Sequence, residues 1–165
     1  MEQDRDETPG FGDADEPLRL SRQLCFALNS ATLALGRVYQ GVLAPLGLTY
    51  TQYLVMLVLW ERGETSVKGL GEALFLDSGT LTPLLKRLEA AGLVLRRRDT
   101  ADERRVLVSV SEEGARLKLQ ARGVPERIAS ACMASGVDLA RFKEDLEALR
   151  AALNTTQANG PRAAS

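Results

Sequence analysis

Between residues 18 and 43 apolar side chains recur as Leu24, Leu28, Ala31, Leu35, Val38 and Val42, at steps of four, three, four, three and four. That spacing keeps one stripe along a helix, and Pro45 and Gly47 end it. A second stripe, Leu139, Phe142, Leu146, Leu149 and Leu153, steps by three and four near the far end. Two long amphipathic helices therefore flank the middle of the chain. Their stripes offer more apolar face than a small domain covers, which predicts packing across a dimer. Thr49 with Gln52 three residues later fits a capping box. Residues 53–60 are apolar all round and predict a buried helix ended by Gly63. A short helix is expected over 68–74, then a tight turn capped by Asp77 or Ser78, then a helix from Gly79 to Ala91 stopped by Gly92. Residues 93–98 and 106–110 are strand-like segments around a polar, charged loop, 99–105, and Ser111 caps a further helix. Helix, helix, turn, helix, strand, loop, strand is the order of a winged helix-turn-helix, mainly α with a small β-hairpin wing.

The flanks carry no such periodicity. Residues 1–17 hold seven acids and one base, with Pro9, Gly10, Gly12 and Pro17, and predict a disordered acidic tail. Residues 154–165 are rich in Ala, Asn and Thr and predict a flexible tail, leaving one domain over 18–153. The chain has 165 residues and a net charge of −1, but the tail accounts for −6 of it. The other 148 residues carry +5, so an anionic partner fits despite a pI near 5.6.

Histidine is absent, which excludes Ser-His-Asp and Cys-His catalysis. Two cysteines 107 positions apart predict no zinc site, and no cofactor is expected. The acidic start lacks the apolar stretch of a secretory signal, and the longest apolar run is eight residues. A cytoplasmic protein with free thiols and no membrane contact is expected.

The helix from Gly79 buries Leu81, Leu84, Leu85 and Leu88 by its period. Its opposite face carries Gly79, Thr82, Pro83 and Lys86, with Arg87 alongside. Small and hydrogen-bonding groups with cations one turn on suit close approach to base edges and phosphates. Pro83 lacks an N–H and disfavours a helical Thr82, which predicts an irregular start to this helix. Residues 86–105 hold seven bases and four acids. Arginines at the hairpin tip, Arg104 and Arg105, can reach a minor groove, and Asp102 is placed to pair with Arg104 and hold the tip.

The run from 48 to 111, above all Leu76-Asp77-Ser78-Gly79-Thr80-Leu81-Thr82-Pro83-Leu84-Leu85-Lys86-Arg87-Leu88 with Asp102-Glu103-Arg104, resembles the MarR family of dimeric repressors. Gln23-Leu24-Cys25-Phe26-Ala27-Leu28, Thr49-Tyr50, Gln52-Tyr53 and Leu74-Phe75-Leu76 narrow the likeness to its thiol-based branch, the organic hydroperoxide resistance regulators. It covers about residues 20–153. The resemblance implies a homodimer through the first and last helices, and a palindromic double-stranded operator. It also implies a recognition helix at 78–88 that includes Ser78 and Thr80, a wing at 99–105, and a reactive cysteine at Cys25.

A peroxide sensor needs a thiolate, and an ordinary cysteine is only a few per cent ionised at neutral pH. With no histidine, hydroxyl donors remain. Tyr39 lies two heptads beyond Cys25, so contact between them requires the partner subunit, and Tyr50 is positioned to join. The family pattern places tyrosines at these two positions around the sulfur, and often a third where this chain has Asn29. Apolar Leu24, Phe26 and Leu28 suit an organic hydroperoxide. Cys132 lies between the helix after the wing and the last helix. One branch of the family has a second cysteine here that forms a disulfide with the partner's sensor cysteine, and the other captures a small thiol. The expectation is a non-enzymatic repressor that senses organic hydroperoxides through Cys25 and releases its operator. Two alternatives stand beside it: a thiol peroxidase-like enzyme, and a MarR-type regulator that binds a ligand without cysteine chemistry.

Overall fold

The computed structural model describes residues 13–159, so most of the expected acidic tail lies outside the described residues. From Asp13 to Leu18, where that tail was expected to continue, the chain forms a short 3-10 helix. A second follows at Leu20–Arg22. Local polar contacts hold this entry. Arg22 pairs with Glu16, and the Gln23 amide donates to the Pro17 carbonyl at 2.6 Å. The first long helix, α1, therefore begins at Leu24 and runs to Leu43.

α2 covers Tyr50–Arg62, and its capping box forms as expected, Thr49 Oγ1 accepting from Gln52 N–H and the Gln52 side chain from Thr49 N–H. Gly63 closes it at φ 75°, in the left-handed half of the map. β1, Thr65–Ser66, leads into α3, Val67–Leu74, capped by Ser66. α4, Ser78–Ala90, is capped by Asp77. The wing strands are β2, Val94–Arg98, and β3, Val106–Val110. α5, Glu112–Ala121, is capped by Ser111, and α6, Val124–Met133, follows at once. α7 spans Leu139–Asn159.

Three expectations need correction. The wing is more than a hairpin, because β1 adds a third antiparallel strand in the order β1-β3-β2, with Thr65 opposite Val108 and Ser66 opposite Leu107. Two residues are too few to show alternation, and their partner lies more than 40 positions away. α4 starts regularly despite Pro83. The missing N–H costs one bond to the Gly79 carbonyl, while Thr82 donates its hydroxyl to the Ser78 carbonyl at 2.7 Å and anchors that turn. Finally, α7 runs past Leu153 to Asn159, where a flexible tail was expected. Thr155 and Thr156 bond back to the Ala151 and Ala152 carbonyls, so the helix absorbs hydroxyls that otherwise compete with it.

The core centres on α2. Val55, Met56, Val58 and Leu59 pack with Leu70 of α3, Leu81, Leu85 and Leu88 of α4, and Val94 and Val108 of the sheet. Each fully buried leucine contributes ~1.5–3 kcal/mol. α4 thereby loses its rotational freedom, and the face opposite these leucines is fixed outward. Gly114 lets α5 touch the sheet, since a Cβ there would lie 2.2 Å from the Leu93 carbonyl oxygen. Among the described residues, no single helix is long and apolar enough to cross a membrane.

Candidate nucleic-acid interface and thiol site

Ser78, Gly79, Thr80, Thr82, Pro83, Lys86 and Arg87 all lie exposed on one side of α4. Asp77 organises their start. Its carboxylate accepts from Thr80 N–H at 2.9 Å and from the Thr80 hydroxyl at 2.9 Å. Those two bonds hold the Asp77 carboxyl below the usual range. The hydroxyl protons of Thr80 and Thr82 are thus spent within the helix. What these residues turn outward is oxygen lone pairs and methyl groups, suited to base amino groups and thymine methyls.

Ion pairing divides the basic residues of the wing. Arg96 binds Glu89 through Nε at 2.8 Å, which ties β2 to α4. Arg97 grips Glu64 with Nε at 2.9 Å and a terminal nitrogen at 2.5 Å, tying β2 to the α2–β1 turn. Both guanidiniums brace the wing. Asp102 does hold the tip, but not by pairing with the Arg104 guanidinium. Its carboxylate accepts from Arg104 N–H at 3.0 Å, and its carbonyl from Arg105 N–H at 2.9 Å. Arg105 lies 3.6 Å from Asp99. The exposed Arg104 guanidinium has no acidic partner among the described residues, nor do Lys86 and Arg87. The tip therefore presents Arg104 on a fixed backbone. Glu64 and Glu89 were missed in the sequence because their partners lie 33 and 7 positions away, with no periodic signal between them.

The second site surrounds Tyr39 on α1. Its ring lies 4.4 Å from that of Tyr50 and 6.2 Å from that of Tyr53, and Tyr53 meets Trp60 edge-on at 6.4 Å. Burial, followed by the proximity of Tyr50, Tyr53 and Cys132, pushes the Tyr39 hydroxyl up to about 12. Burial and Tyr50 raise Tyr53 as well. These phenols stay protonated at physiological pH and act as donors. Cys132 sits in the last turn of α6 and packs against the same core. Tyr53 is an addition to the expected set, hidden within the apolar run of α2.

Cys25 is not part of this cluster. It is exposed, with a free thiol, in the first turn of α1. The 14 residues to Tyr39 put it about 21 Å away along one helix at 1.5 Å per residue. Within one chain the structure brings Tyr39, Tyr50 and Cys132 together and leaves Cys25 apart. Asn29, one turn after Cys25, is also exposed. The flanking apolar stripes are open only in part: Leu24 is 61% exposed, Phe142 47% and Leu153 57%, while Leu35, Val38 and Val42 pack against the core.

Residues 37–120 match the family model of the SarA/Rot transcriptional regulators. The chain is 46% identical over 132 residues to the organic hydroperoxide resistance transcriptional regulator of Bacillus subtilis, covering 80% of this chain and 90% of that protein. Its fold is similar to reduced AbfR bound to DNA, at TM-score 0.73 and 34% identity over 86% of this chain and 97% of that one. The disulfide-formed state of AbfR, a protein of Staphylococcus epidermidis, is similar at TM-score 0.59 and 34% identity, covering 85% and 96%.

Proposed function

The chain belongs to the MarR-type SarA/Rot family of transcriptional regulators, in its organic hydroperoxide resistance branch, and from that premise we propose that it is a homodimeric repressor which releases its DNA operator when Cys25 is oxidised. The observation that carries this reading is the tyrosine cluster beside Cys132, seen together with a distant, exposed Cys25. Two chains joined through their exposed α1 and α7 stripes bring the Cys25 of one to Tyr39 and Tyr50 of the other. Two phenol hydroxyls then donate hydrogen bonds to the sulfur as it carries charge.

The chemistry closes in two steps. The Cys25 thiolate attacks the outer oxygen of an organic hydroperoxide, the O–O bond breaks, and a proton completes the departing alcohol. Sulfur is oxidised to the sulfenic acid and the peroxide is reduced. A thiol within reach then condenses with the sulfenic acid, forming S–S and releasing water. Cys132 stands beside the same tyrosines that would receive the partner's Cys25, which favours an intersubunit disulfide over capture of a small thiol. A disulfide needs the Cα atoms within about 7 Å. Drawing α1 and the partner's α6 to that distance would move the two α4 helices, which must sit about one DNA turn apart to bind together.

On the DNA, α4 enters the major groove with Ser78, Gly79, Thr80, Thr82 and Pro83 toward the bases. Lys86, Arg87 and Arg105 lie toward phosphates, and Arg104 toward the minor groove. The protein acts in the cytoplasm, with the peroxide as its reactive signal. Intact-mass analysis after one equivalent of an organic hydroperoxide, beside operator binding, tests the whole. The expected result is a disulfide-linked dimer that has released DNA. Cys25→Ser should fold, bind and stay bound, and Cys132→Ser should give no cross-link. A Cys25→Ser protein released by peroxide as readily as the parent would refute the sensor. Repeated peroxide turnover with a reductant and no change in DNA binding would instead indicate a peroxidase.

A further inference from the structure

Phe75 occupies the turn between α3 and α4, three residues before Ser78, and nothing in the DNA or thiol reading uses it. Among the described residues it is the sole non-glycine with a left-handed backbone, at φ 56°. The turn around it is tight. The Phe75 and Leu76 amides both donate to the Gly71 carbonyl, the latter at 3.0 Å, and a Cβ on Gly71 would lie 2.7 Å from the Leu76 oxygen. Glycine would close this helix end without strain. Core packing does not account for the ring either, since Phe75 is 63% exposed. What the ring meets is the Arg150 guanidinium of α7, 4.3 Å from its centroid.

Arg150 follows Leu149 directly, within the stripe that also holds Leu146 and Leu153. The contact therefore links the dimer-forming helix to the turn that launches α4. We propose that Arg150 and Phe75 are positioning residues. By stacking on Phe75, Arg150 ties the placement of α7, and so of the partner subunit, to the direction in which α4 leaves its N-cap. The pair touches no DNA. It narrows the range of α4 orientations that the reduced dimer samples, and a shift of α7 on oxidation loosens the clamp. The proposal rests on the DNA-binding reading above.

The test is a double-mutant cycle on the full-length reduced dimer, using a duplex that the parent protein enriches from random-sequence DNA. Arg150→Gln and Phe75→Leu should each weaken binding about two- to fivefold, the worth of an exposed cation–π contact. The double variant should bind as each single variant does. Arg150→Lys should restore most of the loss. The salt dependence should be unchanged, since no phosphate contact is removed. Arg150→Gln leaves the left-handed turn intact, so it carries the test even if Phe75→Leu folds poorly. Additive losses, unaltered binding in both singles, or failure of Arg150→Lys to recover would overturn the proposal. So would a salt slope lower by about one for each Arg150 lost, which would mark Arg150 as a phosphate contact. A parent protein that enriches no duplex would overturn the DNA-binding reading itself, and this proposal with it.

Discussion

Arg104→Ala isolates one side chain more cleanly than most substitutions at a protein–DNA contact. The wing tip is built from backbone: Asp102 accepts from the Arg104 amide at 3.0 Å and, through its carbonyl, from the Arg105 amide at 2.9 Å. Both bonds survive the change to alanine, and no acidic side chain among the described residues loses a partner. The loss is the guanidinium alone. If it occupies a minor groove, affinity should fall by about 1–3 kcal/mol per wing, and each wing should take about one from the slope of log K against log salt. Titrations of the reduced dimer at several salt concentrations read both quantities. Two companions separate charge from position. Arg97→Ala removes a cation already gripped by Glu64 through two nitrogens, so the slope should hardly move. Asp102→Ala keeps every cation but frees the tip, so affinity should fall with the slope retained. An Arg104→Ala protein with unchanged affinity and slope would remove the wing from the interface.

Three further outcomes follow from the geometry. Tyr39→Phe should slow oxidation of Cys25 by about tenfold, ~1.4 kcal/mol, near the lower end for a hydrogen bond to a charged group. Stopped-flow thiol oxidation measures it, and an unchanged rate would take Tyr39 out of the site. The Tyr39 hydroxyl sits near 12 against an ordinary 10, so its contribution to stability is full below pH 10 and lost as pH climbs toward 12. Denaturant midpoints across that window should fall, and fall less in Tyr39→Phe; parallel curves would contradict the burial. Gly114→Ala forces a Cβ to within 2.2 Å of the Leu93 carbonyl oxygen, which backbone cannot yield cheaply. A loss of roughly 1–3 kcal/mol, as for overpacking, should appear in urea melts, and a neutral substitution would mean that α5 can slide on the sheet.

The amino-acid sequence determined those features whose physics is local. The cues of a capping box lie three residues apart, so Thr49 and Gln52 announced the start of α2, as Ser111 did for α5, while for α4 the sequence offered Asp77 or Ser78 and the structure uses Asp77. Gly63 and the leucine period of α4 did the same for a helix end and a buried face. The outward set Thr82, Pro83, Lys86 and Arg87 followed from that period with no tertiary information. Pro83 shows where a local rule fails, because one lost bond in the second turn is a smaller matter than three fully buried leucines holding the helix down. Tertiary structure decided everything that depends on which segment meets which. Arg96 and Arg104 are alike as residues, but Glu89 neutralises one and nothing described neutralises the other. Two residues at 65–66 became a strand only because β3 lay beside them. Cys132 gained meaning from packing on the same core as Tyr39, 93 positions earlier, and Phe75 from lying under Arg150. Periodicity states which face of an element is apolar, but carries no record of the partner that covers it. That partner is chosen by packing the whole chain at once, where contacts between distant segments compete for the same space.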